Sequence, residues 1–277
     1  MHANRVMRPR CVLALSAAVL MMASLLGCSP EPARPTPPTE GVAPAAAPAK
    51  PLERHGASGQ VYRAIPSGEK ETYEAEQPAA EAVSCTRWGS EGADVFDGCA
   101  RRTPKTTMLP ASDAAAEPFE DISALKATLQ DDGEMIHHVP LIAHDADSER
   151  VAEEMRNVSV DAYLYAVAKE SDRDFHLIVG DKDCDASACF LNAEVSALPK
   201  TAARRPPFET VREALVDMFG EEPGEAYWQI VPPAPIHIEG TLFYDIDHRP
   251  GAVGPSWAKP DKSWEIHPIS VLALLDE

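Results

Sequence analysis

The chain has 277 residues and a formal net charge of −19, because 44 acidic residues outnumber 25 Lys and Arg. A surface of this charge repels a phosphate backbone, and no basic stripe in the sequence offsets it, so nucleic acid is not an expected partner. After the first thirty residues, no stretch is apolar and long enough to span a bilayer, which takes about 20 residues. The composition therefore favours an acidic protein that is not threaded through a membrane.

The first residues have the organisation of an export signal. Three arginines precede the apolar run 11–26, which is too short for a comfortable membrane-spanning helix and fits the h-region of a signal peptide. The run ends in LLGC at 25–28, which resembles the lipobox of bacterial lipoproteins. An ordinary secretory signal with a chance Cys is the alternative.

The lipobox resemblance implies that residues 1–27 are a signal peptide and that Cys28 carries a diacylglycerol thioether and an acylated amino terminus. Ser29, rather than Asp, is similar to the pattern sorted to the outer membrane of Gram-negative cells. Each buried CH₂ of an acyl chain contributes about 0.8 kcal/mol, so several chains form a permanent anchor. We therefore expect a cell-envelope protein that faces the periplasm and contacts the membrane through its lipid.

Two regions follow before the first clear strand pattern. Residues 28–56 are a Pro- and Ala-rich tether, which favours polyproline II and cannot form a core. Residues 57–150 predict an irregular region with one short helix within 119–130, where apolar residues recur at helical spacing.

Four cysteines remain for the folded protein: Cys85, Cys99, Cys184 and Cys189. An even number in an exported protein predicts two disulfides that staple the irregular region and a loop further on. Three connectivities are possible, and the one that pairs nearest neighbours closes the shortest loops. A zinc site made of these thiols is not favoured, because the sequence has no Cys-x-x-Cys pair.

The C-terminal part, 151–277, predicts a β domain. Apolar and polar residues alternate in five stretches, at 157–169, 175–180, 190–198, 235–245 and 264–275. An amphipathic helix over 207–220 lies between the third and the fourth stretch. This order is the order of an OB-fold, so we predict a mainly β chain with an OB-like five-stranded barrel. Gly240, in the middle of the fourth strand, suits the bend that such a barrel needs.

Short motifs in this part carry a second resemblance. FHLIVGD, GTLFYDIDH and WEIHP resemble, in this order, small uncharacterised bacterial exported domains with His-Leu, Asp-x-x-His and Glu-(Ile/Leu)-His-Pro in equivalent places. The resemblance covers the C-terminal domain and none of the N-terminal half. It implies the barrel fold and no particular activity.

The alternation predicts that five polar side chains gather on the outer side of the barrel: His176, Asp245, His248, Glu265 and His267. Imidazoles and carboxylates are ligands for zinc or another divalent cation, and an ion with an open position activates water, as in a metal-dependent hydrolase. The alternative is that these side chains hydrogen-bond one another and need no cofactor.

The long loop after the fourth predicted strand is a candidate binding site, because OB-folds bind ligands with loops in this position. It contains an aromatic residue and three cations: Arg249, Trp257, Lys259 and Lys262. An aromatic beside cations in a loop is a platform for a glycan or for an envelope protein. Alternatively, Trp257 packs against Trp264 and the loop only completes the fold.

These patterns together predict a lipid-anchored envelope protein whose C-terminal domain is a non-catalytic binding or structural module. We expect an envelope protein or a glycan as its partner and no cofactor. The alternative is a metal-dependent periplasmic hydrolase that uses the five polar residues.

Overall fold

The computed structural model describes residues 52–56, 58–70, 92 and 94–275, and this part of the chain is mainly β, as predicted. Its strands are β1 Leu52–His55, β2 Val61–Lys70, β3 Ala116–Phe119, β4 Asn157–Lys169, β5 Phe175–Gly180, β6 Phe190–Val195, β7 Ala226–Tyr244 and β8 Trp264–Leu274. Its helices are α1 Arg102–Lys105, α2 Ile122–Lys126, α3 Asp132–Ile136 and α4 Pro206–Phe219, with 3₁₀ turns at Ala152–Glu154, Ser187–Cys189 and Ala202–Arg204.

Several sequence predictions concern residues outside this range. The signal peptide, the lipidated Cys28 and the tether up to residue 51 lie outside the described residues. The last part of the predicted tether is described and differs from the prediction, because Leu52–His55 form β1 and pair with β2. Within the ranges that the structure describes, no helix is long and apolar enough to cross a membrane.

All eight strands form one mixed sheet in the order β1-β2-β7-β8-β6-β5-β4-β3, and β7 also pairs with β4. The additional pairing makes β4, β5, β6, β8 and β7 a ring of neighbouring strands. The ring is uneven, because β6 and β8 run parallel and meet only through Asn192↔Glu265 and Ala193↔Ile266. The predicted number of five strands is too low for the sheet as a whole, which also contains β1, β2 and β3.

The sequence analysis did not predict β1, β2, β3 or the first half of β7, because these stretches lack a clear alternation of apolar and polar residues. β7 begins at Ala226, well before the predicted start at 235, and its first half contains Pro232 and Pro233. Proline cannot donate a ladder hydrogen bond, so such a stretch does not have the pattern of a strand. β2 pairs with this half of β7, through Arg63↔Val231 among others, and is mostly exposed.

The inner core lies on the side of the strands that the alternation predicts. Its strand residues include Leu164, Phe175, Leu177, Val179, Leu191, Ile238, Leu242, Trp264 and Ile266. α4 adds Val211, Leu215 and Met218 and ends at Gly220, whose φ of 78° is readily adopted by glycine at a helix C-terminus. The amphipathic helix predicted between the third and the fourth strand of the domain is therefore present.

Two segments cover the opposite, outer face of the ring: residues 94–106, here the covering segment, and residues 246–263, here the covering loop. Val95 of the covering segment forms an isolated bridge with Leu198, and Phe96 is buried. Val253 and Ala258 of the covering loop join a second apolar cluster with Tyr165, Ile178, Phe190 and others. The outer face is therefore not open to solvent in these places.

A buried ion pair anchors the covering segment. The Arg101 guanidinium donates to Glu154 Oε1 at 2.6 Å and to Oε2 at 2.7 Å, and also to the Tyr244 carbonyl oxygen at 3.0 Å. It lies 4.6 Å from the centroid of the Phe243 ring. A buried guanidinium requires such partners, because an unpaired charge in the interior is strongly destabilising.

One predicted disulfide is confirmed. Cys184 and Cys189 are joined across the short connection between β5 and β6. Cys99 is also disulfide-bonded, and Cys85, its partner in the nearest-neighbour connectivity, lies outside the described residues.

Gly240 allows β7 and β8 to approach closely, and Gly240→Ala tests this. A Cβ at this position would lie 2.5 Å from Ile266 Cγ2 and 2.7 Å from the Pro268 carbonyl oxygen. We expect a loss of about 1–3 kcal/mol in the free energy of unfolding, measured by urea denaturation, because the strands must separate. Gly224→Ala is the control, since a Cβ there meets nothing within 4 Å. Equal stability of the two variants would contradict the tight approach.

Candidate functional site

The five residues predicted as a ligand set converge in the structure. His176 lies on β5, Glu265 and His267 lie on β8, and Asp245 and His248 follow β7. His248 Nδ1 is 3.2 Å from Asp245 Oδ2 and 3.9 Å from Glu265 Oε1. His267 Nδ1 is 3.5 Å from Glu265 Oε2, and the rings of His176 and His248 are 6.0 Å apart between centroids.

These side chains lie on the outer face of the ring, as the alternation predicts, but they do not form an open rim. His267 is 0% exposed and Glu265 is 1% exposed. The covering segment and the covering loop lie over them. Alternation along a strand identifies the face of a side chain and contains no information about what covers that face.

Two further carboxylates belong to the site and were missed by the sequence prediction. Asp174, just before β5, and Glu194, on β6, are both fully buried. Glu194 alternates with Leu191, Ala193 and Val195 of the inner core, so the period-two pattern contained a signal for it. Asp174 lies in a turn, where no periodic pattern applies. We call the five predicted residues, together with Asp174, Glu194 and Lys105, the polar cluster.

His267 is at the centre of the polar cluster. Its Nδ1 is 2.8 Å from Glu194 Oε2, and its Nε2 is 3.3 Å from Asp174 Oδ2. Glu194 Oε1 is in turn 2.8 Å from His176 Nε2. Asn192 Nδ2 donates to Glu194 Oε1 and to Glu265 Oε1, each at 2.9 Å. Residues from β5, β6 and β8 are thus linked through one imidazole.

Lys105 of the covering segment supplies an ammonium group to the polar cluster. Its Nζ donates to Asp245 Oδ2 at 3.0 Å and lies 5.4 Å from the centroid of the Phe243 ring. Burial alone would lower the pKa of Lys105, but Asp245, Glu194 and Glu265 outweigh it and hold this pKa well above its ordinary value. Lys105 is therefore charged. The sequence did not predict that Lys105 belongs to the polar cluster, because it lies far from its partners along the chain.

The carboxylates also shift the pKa values of the histidines. Burial opposes the charged form of His267, yet Glu194 and Glu265 raise its pKa to about 9. The pKa of His248 lies well above its ordinary value, because Asp245 and Glu265 outweigh the effect of burial. Burial raises the pKa of Asp174 well above its usual range.

Two carboxylates of the polar cluster are held ionised. Burial disfavours the charged form of Glu194, but His176 and His267 hold its pKa well below the usual range. Lys105 and His248 do the same for the pKa of Asp245. Because burial favours the neutral form of Asp174, the other three carboxylates of the polar cluster face one ammonium group, so neutral imidazoles would leave an excess of negative charge. Either protons on the imidazoles or a bound cation offsets this excess.

The predicted binding loop is folded against the protein. Trp257 packs against the second apolar cluster, whereas Trp264 belongs to the inner core. Lys259 Nζ donates to the Gly251 carbonyl oxygen at 3.1 Å, and Lys262 Nζ is 3.5 Å from Asp132 Oδ2. Arg249 is exposed. Trp257, Lys259 and Lys262 are nevertheless partly exposed, and the loop stays a predicted binding site.

Lys105→Met tests whether the ammonium group stabilises the fold. We expect a loss of about 3–5 kcal/mol in the free energy of unfolding, measured by urea denaturation, since the substitution removes the ammonium group that pairs with the buried Asp245. Lys70→Met is the matched control, because Lys70 pairs with Glu225 at the surface and exposed pairs contribute little. The interpretation would be wrong if both variants unfolded at the same urea concentration as the wild type.

Comparison with known proteins identifies no relative of the chain. No protein-family model matches the chain, and no curated protein and no solved structure matches it. The chemistry of the polar cluster therefore follows from its own distances, burial and charges.

Proposed function

We propose that the chain is a lipid-anchored protein of the bacterial cell envelope and that its folded part is a non-catalytic binding or structural module. The export signal and the lipobox-like residues 25–28 support lipidation at Cys28. Acyl chains on this residue would hold the protein at the outer membrane, on the periplasmic side. An envelope protein or a glycan is the proposed partner.

The proposed architecture of the module is OB-like. In the ring, β4 pairs with β5 and β7, β6 pairs with β8, and α4 lies between β6 and β7 along the chain. An OB-fold is a five-stranded Greek-key barrel, and this order of pairing supports the assignment. β1, β2 and β3 would then be additions at the two ends of the sheet.

The burial of the polar cluster favours a module over an enzyme. A metal-dependent hydrolase keeps one coordination position open for water and substrate. Glu194 and His267 are fully buried on the face where the covering segment and the covering loop lie. The charged groups of the cluster pair with one another across several elements, which is the arrangement expected of a group that stabilises the fold.

The covering segment also bears on where a partner binds. OB-folds commonly bind ligands on the face of strands two and three, which correspond here to β5 and β6. The outward side chains His176 and Glu194 of these strands are buried in this protein. The geometry therefore favours a structural role, or a partner that binds elsewhere, over a ligand held on this face.

A metal-dependent hydrolase is the second candidate, because imidazole and carboxylate ligands do converge. His267 lies within 3.5 Å of oxygens from Asp174, Glu194 and Glu265. Such an enzyme would require the covering segment to move away before a substrate could enter.

Lipidation is tested by mass spectrometry of the mature protein and by labelling with radioactive palmitate. We expect a mature chain that begins at Cys28 with a diacylglyceryl and an acyl group, and loss of the label in Cys28→Ala. Cys11→Ala is the control and should keep the label, because this cysteine lies in the predicted signal peptide. A mature chain that begins at another residue and carries no lipid would contradict the proposal.

Closure of the polar cluster is tested by carbodiimide coupling of glycine ethyl ester to accessible carboxylates, followed by peptide mapping. We expect Glu194 and Glu265 of the folded protein to stay unlabelled and to react only after unfolding. Glu53 should be labelled in the folded protein, since half of its side chain is exposed. Labelling of Glu194 as fast as Glu53 would favour the hydrolase instead.

A further inference from the structure

We propose that the polar cluster binds one divalent cation of the zinc class through Asp174, Glu194 and His267. The proposed module requires no metal, so this inference goes beyond the proposed function. The ion would be a buried structural ion that joins three parts of the fold.

The geometry of the three side chains fits a mixed nitrogen and oxygen site. Each offers one ligand atom, and these atoms lie within 4.8 Å of one another. His267 Nδ1 is 2.8 Å from Glu194 Oε2, and His267 Nε2 is 3.3 Å from Asp174 Oδ2. Ligand atoms that share a tetrahedral zinc with bonds of about 2.0–2.2 Å lie about 3.3–3.6 Å apart, so Glu194 and His267 would separate slightly when the ion binds.

The same atoms have unmet hydrogen-bonding capacity. Asp174 Oδ2, Glu194 Oε2 and both ring nitrogens of His267 make no directed hydrogen bond, although they lie at ion-pair distances. All three side chains are fully buried. Glu194 Oε2 lies beside Nδ1 of His267 and Asp174 Oδ2 lies beside Nε2, so an ion would bind one of these nitrogens together with one oxygen of each carboxylate. A cation at this point would satisfy the carboxylate oxygens and one imidazole nitrogen together.

The charge of the polar cluster also favours a cation. Glu194, Asp245 and Glu265 are buried beside Asp174, whose neutral form is favoured by burial, and Lys105 is the ammonium group that faces them within the cluster. A buried excess of negative charge is strongly destabilising unless it is compensated. One divalent ion offsets two of these charges without requiring every imidazole to be protonated.

A second trio in the cluster is a weaker candidate. Ligand atoms of Asp245, His248 and Glu265 also lie within 4.8 Å of one another. However, the Lys105 ammonium group is 3.0 Å from Asp245 Oδ2 and already supplies a cation to this trio. The Asp174, Glu194 and His267 trio is therefore the one that we assign.

The ligand set indicates the kind of ion. An imidazole nitrogen suits zinc, cobalt and similar ions, whereas magnesium and calcium prefer sites made of oxygen ligands. Thiolates do not compete among the described residues, because Cys99, Cys184 and Cys189 are disulfide-bonded. We therefore expect zinc and cobalt to bind and magnesium and calcium not to bind.

The experiment uses the full chain, purified in detergent, stripped with a chelator and then titrated with zinc, cobalt, magnesium or calcium. We expect about one zinc per chain by elemental analysis. At a hundredfold excess of free zinc over its dissociation constant, the Tm should rise by about 5–10 °C. Cobalt should give a spectrum of nitrogen and oxygen ligands, and magnesium and calcium should leave the Tm unchanged.

Substitutions test which side chains bind the ion. Glu194→Gln and His267→Gln should each abolish stoichiometric zinc binding and the rise in Tm. His237→Gln is the matched control and should keep both, because His237 pairs with Asp161 at 2.7 Å outside the cluster. Circular dichroism establishes that each variant is folded before its metal content is compared.

The wild-type titration decides the proposal even if the buried variants fail to fold. Substoichiometric zinc together with an unchanged Tm would overturn it, and the cluster would then be balanced by protons alone. Equal loss of zinc in His237→Gln and Glu194→Gln would also overturn it, because the ion would then lie elsewhere.

Discussion

Carboxylates buried on one face of a sheet require compensating charges, and much of the structure follows from this requirement. Asp174, Glu194, Asp245 and Glu265 come from four places in the chain, and none is more than marginally exposed. The cost of leaving such a charge unpaired is several kcal/mol, which is a large fraction of the stability of a protein of this size. The imidazoles and the ammonium group that face them therefore fix how the surrounding elements pack.

The requirement explains why the covering segment belongs to the folded unit. Lys105 faces the carboxylates, and Arg101 makes a separate buried pair with Glu154, so the segment docks through two cations. Phe243 lies near both cations, at 5.4 Å and 4.6 Å from its ring centroid. The outer face of the ring is thus stabilised by charge and aromatic contacts, whereas the inner core is apolar.

The sequence predicted those elements whose apolar residues recur at a regular spacing. The positions of β4, β5, β6, β8 and α4 follow from alternation and from the helical spacing, and the same alternation identified the outer face that carries His176, Glu265 and His267. The first half of β7 was missed because its prolines disturb the pattern. The contact of Lys105 could not be predicted, since its partner Asp245 lies 140 residues away along the chain and no local pattern encodes such a contact.

The distance between Lys105 and Asp245 along the chain has a consequence for the order of assembly. Synthesis proceeds from the amino terminus, so Lys105 exists long before the strands that carry its partners. Contacts between distant residues carry a large loop-closure entropy and form late. The covering segment has no complete docking face until β8 has joined β7 and β6. We therefore expect the covering segment to dock on this face as a final step of folding. In a chain that ends before β8, the carboxylates of Asp174, Glu194 and Asp245 would remain exposed to water.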